Sequence, residues 1–291
     1  MGTLFEQTIP VVPGIQRILR DYPFGDTILY ELLQNADDAP ATRFHAVLVE
    51  GPLSGHSRQA LAPGLGQNAR GPEGWSPWLT DAGYSSLYAY NSGVFSDRDL
   101  HNIQSINGSE EHSKRYDATK VGRFGIGFNC NFHLTDVVVF VTGTHLVMLD
   151  PAREHLPLLP GEAGGAPRRT GGICFPYLDV IKEGDAHPDY RFVSKALDRF
   201  EEIEGLHFSR TLPYQGTVFR LVLRPRPSAL WKELHTTTEV RAFCEAFLAG
   251  ARVCMTLLKN VACVELSLGT CQDPAAATEA DPMVAAPSRP H

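Results

Sequence analysis

A chain of 291 residues is long enough to bury a large core, either as one elaborated domain or as two small ones. Its 43% hydrophobic and 20% charged residues are those of an ordinary soluble globular protein, and a formal net charge of -7 argues against a general electrostatic grip on nucleic acid. Six cysteines, at 130, 174, 244, 254, 263 and 271, include no Cys-x-x-Cys pair, which excludes the usual zinc spacing and a dense disulfide framework and leaves reduced thiols as the expectation.

The amino terminus has no basic segment followed by an apolar one, and Glu6 stands where a myristoylation signal calls for Ser or Thr. No apolar run reaches the length of a bilayer span. The expectation is a cytoplasmic protein, with the nucleus open as an alternative, that has neither membrane nor nucleic acid as partner.

In chain order, a short helix over 15–20 ends at Tyr22-Pro23-Phe24-Gly25, and Asp26 or Thr27 then caps a longer helix to about Asp38. On it Leu29, Leu32, Leu33 and Ala36 form an apolar stripe, while Glu31, Asn35 and Asp38 share another face at i, i+4 and i+7. A strand over 44–50 leads into an irregular stretch over 51–77. A second strand over 87–90 precedes Asn91-Ser92-Gly93, and a helix follows over 97–106. Polar residues 107–120 end at a glycine run, and a helix over 128–134 starts from it. Strands over 137–142 and 145–149 form a hairpin about Gly143. A second irregular stretch covers 151–172. Residues 189–205 are mixed in pattern and partly helical, 217–223 is a strand, 237–258 a helix and 262–268 a strand. From 269 to 291 hydrophobicity is too low to fold, so a disordered tail is expected.

Two features carry chemistry. Magnesium takes oxygen ligands and keeps several waters, so one Asn carbonyl beside phosphate oxygens suits it, and Asn35 offers that carbonyl. Glu31, one turn earlier, is within reach to hold an attacking water as general base, and Asp38 to bond water around a base or ribose. The bland alternative for this face is a solvated polar helix surface. The second feature is the run Val121 to Phe128, where Gly122, Gly125 and Gly127 let backbone amides approach an anion. It has neither the Rossmann spacing nor the Lys-Ser/Thr of a Walker loop, and a tight helix-on-sheet turn is its alternative. Trp75 and Trp78 read as packing residues, His133 as a packed helix residue, and Arg220 and Arg224 as structural or surface charges.

E-L-L-Q-N-A-D-D-A (31–39), Y-N-S-G-V-F (90–95), K-V-G-R-F-G-I-G-F-N (120–129) and G-T-V-F-R-L (216–221) together resemble the GHKL ATPases, the ATP-binding domains of the ninety-kilodalton heat-shock chaperone, gyrase, histidine kinases and MutL. Within them I-Q-S-I-N-G-S (103–109), G-F-N-C-N-F-H-L-T-D (127–136), G-T-V-F-R-L-V-L-R (216–224) and L-L-K-N-V (257–261) resemble the sacsin and No-vein type, over about residues 10 to 268. The resemblance implies an α+β two-layer sandwich: a mixed, mainly antiparallel sheet covered on one face by helices. It implies a GHKL-type domain over 1–225 with insertions at about 51–77 and 151–172, and a helix-and-strand extension over 226–268 packed on that domain.

It also implies ATP and magnesium as ligands, with Glu31 as general base and Asn35 as the magnesium ligand. Asp38, Asn91, Gly93, Lys120, Gly122, Arg123, Phe124, Gly125, Ile126, Gly127, Phe128 and Thr217 would hold the nucleotide, with 107–120 as its lid and Ser113 or Lys114 as further lid contacts. One departure stands out. The usual Asp of the second motif is Asn91 here, or Ser92 in the alternative register, and neither offers a charge-assisted bond to adenine. The implied function is a chaperone-type ATPase module with slow or partner-dependent hydrolysis and client proteins as partners. The alternative is a non-catalytic scaffold with the same fold.

Overall fold

The computed structural model describes residues 10–51, 74–103, 127–159, 168–270 and 283–285, and within them one mixed sheet positions every helix. Two helices come first, α1 (Val11–Asp21) and α2 (Thr27–Asp38), followed by β1 (Arg43–Glu50), β2 (Ser86–Asn91) and the short α3 (Asp97–Asn102). A 3-10 helix, Gly127–His133, leads into the hairpin β3 (Val138–Gly143) and β4 (His145–Leu149). A ribbon of β5 (Leu158–Leu159) and β6 (Arg168–Arg169) stands apart from the sheet. Then come β7 (Gly172–Pro176), α4 (Tyr177–Glu183), α5 (Tyr190–Glu201), β8 (Tyr214–Val222), α6 (Thr237–Cys254), β9 (Cys263–Thr270) and β10 (Met283–Ala285).

Among the described residues the sheet has eight strands in the order β10-β9-β1-β2-β8-β3-β4-β7. Only β1 with β9 is parallel; the other pairs are antiparallel. The α+β sandwich expected from the sequence is present, and the helix and strand after residue 226 join the same sheet and core. Strand alternation decides which residues meet which layer. Leu87 and Ala89, Val138 and Phe140, and Phe219 and Leu221 face the core shared with α1, α2 and α6. Tyr88, Val139 and Val218 point the other way, into a second core with α4, α5, Trp75 and Trp78. This second cover adds a layer that the sequence did not indicate. Trp75 stacks on Phe192 of α5 with ring centroids 3.4 Å apart, so both tryptophans are packing residues.

Several element ends differ from the sequence expectation. The stretch after the glycine run is a 3-10 helix rather than an α-helix, and α6 stops at Cys254, where 3-10-type turns take the chain to Leu257. Gly269 and Thr270, assigned to the tail, continue β9, and Met283–Ala285 pair with it; the rest of the tail lies outside the described residues. The five cysteines among the described residues are free thiols, and no helix there is long and apolar enough to cross a membrane.

Arg220 and Arg224 are both buried. Arg220, on β8, points into the second core and donates to the carbonyls of Leu79 at 2.5 Å and Asp81 at 3.3 Å. Arg224, 2% exposed, pairs through Nε with Asp136 at 2.7 Å. Its terminal nitrogens donate to the carbonyls of Phe132 (2.6 Å), Thr135 (2.9 Å), His133 (3.0 Å) and Glu233 (3.3 Å). One guanidinium therefore closes the C-terminal end of the 3-10 helix, whose last carbonyls have no helical partner. Asp136 also accepts from Ser228 Oγ at 2.7 Å and lies 3.5 Å from His155 Nε2. Burial works against its charge, yet His155, Arg224 and Ser228 hold its carboxyl below the usual range.

A second buried carboxylate anchors α2. Asp37 accepts the amides of Asn260 (2.7 Å), Lys259 (3.0 Å) and Val261 (3.0 Å), and Asn260 Nδ2 returns a bond to the Asp37 carbonyl at 2.7 Å. Burial opposes ionisation there, but the three amides outweigh it and lower the Asp37 pKa.

Arg224→Met is expected to cost about 3–5 kcal/mol in urea unfolding, because it strands Asp136 and several carbonyls. Arg224→Lys should recover only part of that, since an ammonium cannot span the same acceptors; a loss below about 1 kcal/mol would refute the assignment. Asp37→Ala is expected to cost about 3 kcal/mol at pH 7. Because the folded pKa is depressed, that contribution is present above the unfolded carboxylate pKa and lost as pH falls through the folded one. The gap between wild type and variant in chemical denaturation should therefore narrow below about pH 4; a gap constant from pH 7 to pH 3 would count against it.

Candidate nucleotide site

The face of α2 that carries Glu31, Asn35 and Asp38 is half-buried, because it lies under the 3-10 helix at one end and beside the turn after β2 at the other. Two glycines mark those ends. A Cβ at Gly127 would fall on the Glu31 carboxylate, so glycine there lets the end of the glycine run sit directly against that side chain as it is placed. A Cβ at Gly93 would meet the Ala39 carbonyl at 2.7 Å, so the second motif is pressed against the C-terminal end of the same helix. From Glu31 to Ala39 the helix rises about 12 Å. Three motifs far apart in sequence thus lie along one stretch of helix.

The sheet forms the floor. Asn91, Thr217 and Thr142 stand in register across β2, β8 and β3, extending the rows Ala89–Phe219–Phe140 and Leu87–Leu221–Val138 on the face that the helices cover. The apolar interlayer ends in this polar row. Thr217 Oγ1 donates its one proton to the Gly93 carbonyl at 2.8 Å, so Thr142 Oγ1 must donate to Thr217, also at 2.8 Å. Thr142 in turn accepts the Phe95 amide at 2.9 Å. Asn91, 4% exposed, accepts the Gly93 amide through Oδ1 at 2.9 Å, an Asx turn. Ser92 Oγ instead accepts the Thr42 amide at 2.8 Å and the Arg43 amide at 3.2 Å, at the start of β1. It is therefore Asn91, rather than Ser92, that joins Gly93 and Thr217.

Cys130 sits beneath the same end as Glu31. Its thiol is pushed up to about 12, mainly by burial and then by the Glu31 charge, so it is a protonated core group rather than a nucleophile. Phe128 is half-buried, its ring centroid 5.8 Å from that of Phe219. With Val11, Ile15, Ile103 and Phe132 it also borders a cleft of about 440 Å³. Thus Gly127 belongs to the α2 side of the 3-10 helix and Phe128 to its packed side.

Glu31, Asn35, Asp38, Asn91, Gly93, Gly127, Phe128 and Thr217 are all described; all but Phe128, which packs on the other side of the 3-10 helix, gather about the ends and face of α2. Lys120, Gly122, Arg123, Phe124, Gly125 and Ile126 lie outside the described residues, as do Ser113, Lys114 and the rest of 107–120. Sequence reasoning missed two contributors. Thr142 is visible only once β3 is registered against β8. Asp37 follows Leu33 by one helical turn on the apolar stripe, and a carboxylate there signals a required partner.

A family model described as "Sacsin domain" matches residues 8–279. Over 271 residues the chain is 34% identical to the Homo sapiens protein named Sacsin, covering 91% of this chain and 5% of that protein. The chain thus spans a small fraction of the length of the curated relative it matches. With the family model extending over nearly all of its length, the chain belongs to the sacsin-domain family.

Proposed function

We propose that this domain is an ATP- and magnesium-binding, chaperone-type module that hydrolyses ATP slowly or with help from a partner. The observation that carries the reading is the apposition of Gly127 with Glu31 at one end of α2 and of Gly93 with Ala39 at the other. It sets the last glycine of the run and the second motif against the helix that carries Glu31, Asn35 and Asp38, which supports a single shared site.

On this reading the amides of the glycine run receive the phosphates and the Asn91, Gly93 and Thr217 cluster receives adenine. Asn35 offers its carbonyl to a magnesium ion that arrives with the phosphates. A site with a single protein oxygen plus phosphates and waters suits that ion. When bound, magnesium would neutralise charge on the phosphates. Glu31 would orient the attacking water and take its proton. The buried Arg220 and Arg224 are committed to backbone carbonyls and Asp136, so they are not available as catalytic fingers; that is the ground for slow turnover.

The second reading is a non-catalytic scaffold that interacts with other proteins. Asn91 favours it, because its Oδ1 already accepts the Gly93 amide and has only one lone pair left for adenine.

Titration with a fluorescent ATP analogue, with and without magnesium, separates the two. Saturable, magnesium-dependent binding is expected, weakened at least about tenfold by Asn35→Ala. Glu31→Gln should keep binding and lose hydrolysis by a factor of about 10² or more. No saturable binding up to millimolar nucleotide would leave the scaffold reading standing alone.

A further inference from the structure

The outer face of α6 is apolar and uncovered. Its inner face is buried through Val240, Phe243, Cys244, Phe247 and Ala251. Ala242, Ala246, Ala249, Val253 and Leu257 lie on the opposite side and are exposed, Val253 at 71% and Leu257 at 80%. Leu257 extends the helical path because the Thr256 and Leu257 amides donate to the carbonyls of Val253 and Cys254. Within the helix the spacings are four, three and four residues, which keep Ala242, Ala246, Ala249 and Val253 within an arc of about 60° at 100° per residue, and Leu257 follows in the turn beyond. This is the seam pattern of a helix that packs against another helix, here ending in its two largest side chains.

The charges beside the seam indicate which helix would fit. Glu245 and Arg252 lie on the same edge of the stripe, seven residues apart, and both are exposed. Among the described residues neither is in an ion pair within its own chain. When two identical helices pack antiparallel, like edges face one another. With the two-fold axis near Ala249, the midpoint of the stripe, Glu245 of one copy comes level with the region of Arg252 of the other, and the reverse holds across the axis. The edge is therefore complementary to itself, as an isologous two-fold contact requires.

We propose that the outer face of α6 is a self-association surface on which two copies of this chain pack antiparallel through Val253, Leu257 and the alanine stripe, with reciprocal Glu245–Arg252 pairs. The stripe is narrow, so the dimer is of the weak, transient class. This inference is independent of nucleotide binding.

Sedimentation equilibrium of the purified 291-residue chain between about 1 and 200 µM tests it, since weak interfaces dissociate in that range. The expected result is an average mass rising from the 32.0 kDa of one chain towards twice that value. Leu257→Asp should abolish the rise while leaving the circular dichroism and melting temperature unchanged, because that side chain is exposed. Glu245→Arg or Arg252→Glu alone should weaken association at least about tenfold, because each replaces two attractive pairs with two repulsive ones. The Glu245→Arg/Arg252→Glu double variant should return to within about threefold of wild type. A chain that stays monomeric throughout overturns the proposal, as does a dimer insensitive to Leu257→Asp or one that the double reversal fails to restore.

Discussion

The guanidinium of Arg224 follows directly on the central strand of the sheet and closes the 3-10 helix that ends the glycine run. Strand β8 lies between β2 and β3, so it alone joins the half of the sheet built from β1, β2 and β9 to the half built from β3, β4 and β7. Arg220 within it and Arg224 just after it act on opposite layers. Arg220 fixes the carbonyls of Leu79 and Asp81 over the second core, and Arg224 fixes those of Phe132, His133 and Thr135 over the first. A lysine could place one charge at either position, but not a planar fork that reaches several acceptors.

The charge on Arg224 is matched by Asp136, and the contact continues outward. Asp136 lies beside His155, and His155 Nδ1 is 2.9 Å from Ser76 Oγ, next to Trp75 in the second layer. A line of buried polar groups thus runs from Arg224 through Asp136, His155 and Ser76 towards the second layer, with a longer step of 3.5 Å between Asp136 and His155 Nε2. Buried groups of this kind stabilise only as a complete set, because each member left unpaired costs more than the pair contributes.

Much of this was legible in the sequence because it depends on local periodicity. The length of α2 and its polar face at Glu31, Asn35 and Asp38 follow from a 3.6-residue repeat, and the hairpin of β3 and β4 from two β-branched runs about Gly143. The glycines of the motifs were legible as close approaches, and the structure supplies their neighbours for Gly127 and Gly93. What could not be read depends on register and on contacts between distant segments. Nothing local distinguishes Thr142 from any strand threonine until it stands opposite Thr217. The second layer was missed because α4 and β7 are short and their apolar residues, such as Tyr177 and Phe175, show no long period. Arg224 reads as a charge at a strand end; only its burial reveals what it holds.

The attachment of α2 has a consequence for the order in which the protein is made. Asp37 is held by the amide of Val261, 224 residues further along the chain, and β1 takes its parallel neighbour β9 from the same distant segment. At synthesis rates of about 5–20 residues per second, the ribosome needs about 10 to 45 s between making the two. Through that interval the helix bearing Glu31 and Asn35 has neither Phe247 against Tyr30 nor the turn that caps its end. The part of its apolar surface that α6 covers and one edge of β1 stay open to other chains. The nascent protein is therefore open to misassociation beside the helix on which its candidate site is built until the last sheet strands leave the tunnel.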